Sequence, residues 1–148
     1  MSDYPAVPGV LFVAGFGPVT RDPACSKHFF ADTVGLPLSE SEGVPDYLTA
    51  DHTLHGVKHF ALWPLSHAAV SCFGQDSWPP SHPVPQAWVE FEVRDLAAAT
   101  EFLQSQGYPL LVANRTEPWG QSVTRLLSPE GLLVGLTITP WLRDNTGE

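Results

Sequence analysis

One stretch of this chain is written twice. Asp22-Pro-Ala-Cys-Ser-Lys-His-Phe29 matches Asp95-Leu-Ala-Ala-Ala-Thr-Glu-Phe102, with the same spacing from Asp to Phe in each copy. Gly35-Leu-Pro-Leu38 and Gly107-Tyr-Pro-Leu110 follow, offset by 72 where the Asp and Phe pairs are offset by 73. Each Asp is preceded by an apolar stretch, Val10 to Val19 in the first copy and Trp88 to Val93 in the second. A repeat divides the 148 residues into two units of roughly 70, each too small to bury an adequate core alone, so the two must share one.

The punctuation of the repeat says what each unit is. An Asp before an apolar-periodic run caps a helix, the Phe faces the core side, and the Gly ends it. The first unit therefore reads as a strand over Val10–Phe16, a helix over Pro23–Val34, an extended piece near Leu38, and a hairpin of Asp46–Thr53 with Val57–Trp63. Ser66–Phe73 reads as an extra short helix, because Ala68, Ala69 and Cys72 share a face. In the second unit Ala87–Val93 alternates cleanly, with Val89, Phe91 and Val93 on one face and Trp88, Glu90 and Glu92 on the other. A helix over Leu96–Gln106 and strands over Leu110–Ala113, Gln121–Leu127 and Leu132–Ile138 follow, the last two joined by a turn at Ser128-Pro-Glu-Gly131. Between the units lies Gly74-Gln-Asp-Ser-Trp-Pro-Pro-Ser-His-Pro-Val-Pro85, too rich in proline for regular structure. The expectation is one α+β domain over residues 1–148, with module one over 8–73, a linker over 74–86 and module two over 87–143.

Seven Lys and Arg against 16 Asp and Glu give a net charge of −9. That excludes a nucleic-acid binder, which needs a basic stripe to replace phosphate counterions, and disfavours an anionic membrane surface. No apolar run approaches the roughly 20 residues of a membrane helix, and the N-terminus lacks a signal-peptide pattern. Two cysteines, Cys25 and Cys72, are too few for a disulfide framework. A cytoplasmic protein is the expectation. No nucleotide-binding or nucleophile-elbow motif is present.

With these elements in place, the repeat, the turn at Pro129-Glu-Gly131 and above all Glu117-Pro-Trp-Gly120 resemble the vicinal oxygen chelate superfamily, the glyoxalase, bleomycin-resistance and extradiol-dioxygenase group. The resemblance covers about residues 8 to 143 and is nearest to bleomycin-resistance-type members. It implies two tandem βαβββ modules forming a curled mixed sheet around a cavity, and a homodimer whose modules can pair between chains. In metal-using members His or Glu ligands stand on the cavity face of the first and last strands of each module. Carried over residue by residue, those positions hold Ala14 or Gly15 in the first module's opening strand, Trp88 in the second's, and Gly135 in the last strand. None of these can coordinate a metal, so no metal and no cofactor are expected.

The face of Trp88, Glu90 and Glu92 should then line the cavity. The candidate ligand-binding residues are His59, Trp63, Trp88, Glu90 and Trp119. Indoles and carboxylates together suit a flat aromatic or cationic ligand, by stacking and charge pairing. Arg125, mid-strand among apolar residues, either pairs with a buried carboxylate or reads an anionic group, and pairing is favoured. The leading expectation is a metal-independent small-molecule binding protein, sequestering a cationic or aromatic compound. The alternative is a metal-dependent lyase, isomerase or dioxygenase with a relocated site. A turn at His55-Gly56 would set His52 opposite His59 across the hairpin, with Glu90 as a further ligand. A third reading, a protein-interaction module using the Pro-rich loop and Trp edge, requires that no cavity large enough for a ligand exist.

Overall fold

The computed structural model describes residues 6–50 and 54–143. Its centre is the pairing of the two opening strands. β1 (Val10–Thr20) and β5 (Ala87–Val93) run antiparallel, with Val10 opposite Val93 and Pro18 opposite Ala87. Outside each lies the last strand of the same module, in parallel. β4 (Ala61–Pro64) pairs with β1, Val19 opposite Trp63, and β8 (Leu133–Ile138) pairs with β5, Glu90 opposite Gly135. With β2 (Ser39–Glu40), β3 (Leu48–Thr49), β6 (Val112–Thr116) and β7 (Ser122–Leu127), the order across the sheet is β2-β3-β4-β1-β5-β8-β7-β6. The halves are related by a pseudo-twofold axis between β1 and β5, and the eight strands curl without closing. This is the α+β arrangement expected from the repeat.

The repeated Asp residues do the same job in both halves. Asp22 accepts from Cys25 N at 3.2 Å and opens α1 (Pro23–Lys27); Asp95 accepts from Ala98 N at 3.1 Å and opens α3 (Leu96–Ser105). Gly35 and Gly107 end the two helical segments, each with φ +84°, a conformation that costs glycine little. α3 packs Leu96, Ala99 and Leu103 onto Val93, Leu126 and Leu136 of the sheet. The first copy departs from this pattern. Beyond Lys27 the chain takes a π turn, His28–Thr33, with Val34 N bonded to Phe29 O at 2.9 Å. The wider turn rotates the face, so Phe29 is half exposed rather than core-facing, and Phe30 packs instead near Leu48, Phe60 and Leu62.

Further expectations change, among them the strand expected over Leu110–Ala113, which lies at Val112–Thr116. β1 is longer than Val10–Phe16, reaching Thr20 by absorbing irregularities between Val10 and Phe12 and between Val13 and Gly15. The β3–β4 register sets Thr49 opposite Ala61, not opposite Leu62 as a two-residue turn at His55-Gly56 requires. Leu54 N bonds Ala50 O at 3.0 Å. His52 lies outside the described residues.

α2 (Leu65–Phe73) is the extra helix, with Ala68, Ala69, Ser71 and Cys72 buried and Gly74 in the left-handed conformation at its end. The Pro-rich connector folds back on it. Trp78 packs edge-on against Phe73 at 4.9 Å and donates its Nε1 hydrogen to His82 O and Pro83 O.

Candidate functional site

The inner face of the sheet, α2 and the 3₁₀ turn Pro140–Leu142 enclose a cavity of about 570 Å³. That is within the range of small-molecule sites, and it removes the condition on which the interaction-module reading depends. The five candidate residues His59, Trp63, Trp88, Glu90 and Trp119 all line it. Trp88 and Glu90 reach it because β5 alternates: Val93 turns to α3, and the opposite face turns inward. Trp63 stands edge-on to Trp88 at 6.1 Å, and His59 lies 5.7 Å from the same indole. Trp119, half exposed, forms part of the rim with Trp141, Val44 and Val70. His55 is exposed and outside the lining. Glu92 is fully buried and is not part of the lining. It accepts from Thr139 N at 2.9 Å, from the Thr139 hydroxyl and from Arg143 Nε at 2.6 Å, and so ties the C-terminal turn carrying Trp141 to the sheet.

The cavity floor is a chain of alternating charges. Arg125, on β7 and almost fully buried, lies 3.3 Å from Glu90 Oε2 through Nη2 and 3.5 Å from Glu117 Oε2 through Nη1. The second contact is an ion pair without hydrogen-bond alignment. Arg115 Nε stands 3.2 Å from the other oxygen of Glu117. The four formal charges cancel, and the Arg125 guanidinium sits 5.0 Å from the Trp63 ring centre. Gln121 ties the floor to the rim: it accepts from Trp119 Nε1 and donates to Glu90 Oε1 and Thr137 Oγ1, each at 2.8 Å.

Sequence reasoning missed Tyr47, Gln121 and the C-terminal turn. Gln121 was visible, since Gln121, Val123 and Arg125 alternate onto one face. Tyr47, whose hydroxyl is 2.7 Å from His59 Nε2, carried no local signal. Cys72 lies under the floor. Burial pushes its thiol up to about 11, so it is no nucleophile.

Of the positions that the resemblance marks for metal ligands, Gly15, the alternative to Ala14, and Gly135 have no room for a ligand side chain. A Cβ on Gly15 would stand 2.8 Å from His59 O and 3.0 Å from Trp88 Cη2; one on Gly135 would stand 2.9 Å from Glu90 Cγ. The Trp88 indole, its Nε1 donating to Ala61 O at 3.2 Å, and the Glu90 side chain fill the room that ligand side chains there would need. Among the described residues no three His, Cys, Asp or Glu side chains are grouped to hold an ion.

Paired βαβββ modules around an inward-facing cavity define the class of vicinal oxygen chelate proteins. The family model for the Glyoxalase/Bleomycin resistance protein/Dioxygenase superfamily matches residues 16–136, and the chain belongs to that superfamily. No curated protein matches the sequence. Among solved structures, the chain resembles methylmalonyl-CoA epimerase from Mycobacterium tuberculosis, at 19% identity and TM-score 0.56 over 95% of this chain and 96% of that one. A superfamily member from Vibrio splendidus 12B01 gives 15% identity and TM-score 0.52 over 82% and 94%. Streptomyces coelicolor methylmalonyl-CoA epimerase, in complex with 2-nitronate-propionyl-CoA, gives 17% and 0.53 over 89% and 99%. At these identities the likeness is one of fold. Among the described residues no helix is long and apolar enough to cross a membrane.

Proposed function

We propose that this protein binds a small, flat, uncharged aromatic compound without using a metal. The observation that carries the reading is Trp88. It occupies a metal-ligand position of the family, fills the space above Gly15, and lines an aromatic cavity of about 570 Å³. The cationic option loses its charge partner, because Glu90 is already paired with Arg125. A CoA ester of the kind named for the epimerases needs cations for its phosphates. Among the described lining residues Arg125 is the one Lys or Arg, and two carboxylates hold it. A homodimer and a cytoplasmic setting complete the proposal. Half-exposed Val10, Val13 and Phe16 on β1 offer apolar area for a partner copy, and a free exposed Cys25 suits a reducing compartment.

Calorimetric titration of chelator-treated protein tests it, using neutral 2-naphthol, cationic acridine orange and anionic 1-anilinonaphthalene-8-sulfonate. The neutral probe should bind best, with one site per chain. Trp119→Ala should weaken it about tenfold by removing a stacking wall. Preference for the cationic or anionic probe, or no binding of any, contradicts the proposal.

A further inference from the structure

We infer that the ligand presents an N–H or O–H group to Glu90, making it a neutral aromatic hydrogen-bond donor such as a phenol, an aromatic amine or a lactam. The inference rests on the aromatic-cavity reading and adds the polar end of the molecule. Donors and acceptors at the cavity floor are unequally used. The Gln121 amide has two N–H hydrogens, and both are spent, on Glu90 Oε1 and on Thr137 Oγ1. The indole N–H of Trp119 is spent on Gln121 Oε1 and that of Trp88 on Ala61 O. Arg125 donates from Nη2 to Glu90, and its Nη1, ion-paired with Glu117 without a hydrogen bond, is buried out of a ligand's reach.

Acceptor capacity is left over. An ionised carboxylate has about four lone-pair sites. Among the described residues, Glu90 Oε1 receives Gln121 and Glu90 Oε2 receives Arg125. Each oxygen keeps a lone pair, and the Glu90 side chain, 13% exposed, lines the cavity. A ligand without a donor would bury those lone pairs dry, which is unfavourable. One offering only acceptors would meet a carboxylate. A donor satisfies the carboxylate through a charge-assisted hydrogen bond, the stronger kind, without asking the floor for a second counter-charge. Gly135 belongs to the same device. Its missing Cβ leaves Glu90 Cγ its place, since a Cβ there would stand 2.9 Å away.

Calorimetry with 2-naphthol, 2-methoxynaphthalene and naphthalene tests this on the full chain. In the wild-type protein 2-naphthol should bind at least about tenfold more tightly than 2-methoxynaphthalene, whose donor is capped by a methyl group, and than naphthalene, which has no donor and no added methyl. In Glu90→Gln that ratio should fall below about threefold. Should Glu90→Gln fail to fold, Gly135→Ala, which displaces Glu90 without changing its chemistry, should show the same fall. Equal affinity of 2-naphthol and 2-methoxynaphthalene in the wild-type protein overturns the donor inference and leaves the aromatic cavity standing. A ratio unchanged in the folded variant also overturns it, because another group is then the acceptor. If none of the three compounds binds, the aromatic-cavity reading falls as well.

Discussion

Replacing Arg125 by methionine separates its structural role from its electrostatic one. The guanidinium is almost fully buried and bridges Glu90 and Glu117. Removing one partner of a buried ion pair costs about 3–5 kcal/mol, mostly by leaving a carboxylate without its counter-charge. Here the cost falls near the lower figure, because neither carboxylate is left bare. Glu117 keeps Arg115 at 3.2 Å, and Glu90 keeps the Gln121 amide at 2.8 Å and some access to the cavity. Arg125→Met should therefore lose about 3 kcal/mol in urea unfolding followed by tryptophan fluorescence, and melt about 10 °C lower. Adding Glu90→Gln should recover part of that loss, giving a coupling energy of about 1–2 kcal/mol in the double-mutant cycle. Arg125→Met alone leaves the floor with a net negative charge, so acridine orange should bind that variant at least about tenfold more tightly than the wild type. A variant within about 0.5 kcal/mol of wild type, with unchanged charge preference, would refute the assignment of Arg125 as the cation that neutralises the cavity.

Gly17→Ala should be among the most damaging single substitutions. Its Cβ would stand 2.0 Å from the backbone oxygen of Ala61, and backbone cannot swing aside. A loss of about 3 kcal/mol or more, or failure to fold, is expected from thermal denaturation. Thiol labelling should find one fast cysteine, the exposed Cys25, and a second only in denaturant. With the Cys72 thiol pushed up to about 11 by burial, about a thousandth of it is thiolate at pH 8. Because the folded chain holds that proton above the ordinary thiol value of 9.0, the Cys72 contribution to stability should fall as pH rises from there towards 11. A Cys72→Ser variant should flatten that slope. Glu92→Gln should loosen the C-terminal turn through its bonds to Thr139 and Arg143, shifting Trp141 emission to the red before global unfolding.

Much of the fold was legible because local chemistry and global arrangement agree in it. The two Asp caps, the two left-handed glycines and the alternation of β5 are signals within one element, and each appears where expected. What was not legible depends on contacts between elements. The π turn that exposes Phe29, the irregularities that carry β1 on to Thr20, and the β3–β4 register are set by packing against neighbours. At the site, Trp88 and Glu90 followed from strand alternation and family position. Arg125 was recognisable as a buried cation, yet its partners come from β5 and from the loop before β7, which no local pattern joins. The neutral floor, which narrows the expected cationic or aromatic ligand to the uncharged one we propose, needed that tertiary contact.

We propose that Trp88, at a position the resemblance marks for a metal ligand, makes this an aromatic site that works without metal. The direct measurement is the affinity of 2-naphthol for protein stripped with chelator, with and without added Zn²⁺ or Mn²⁺, alongside the metal content of the purified chain. The account predicts the same affinity in all cases and less than about 0.1 metal per chain, since among the described residues the usual three or four ligands are not grouped. A metal retained at one per chain, with binding that disappears on chelation and returns with the ion, would contradict it.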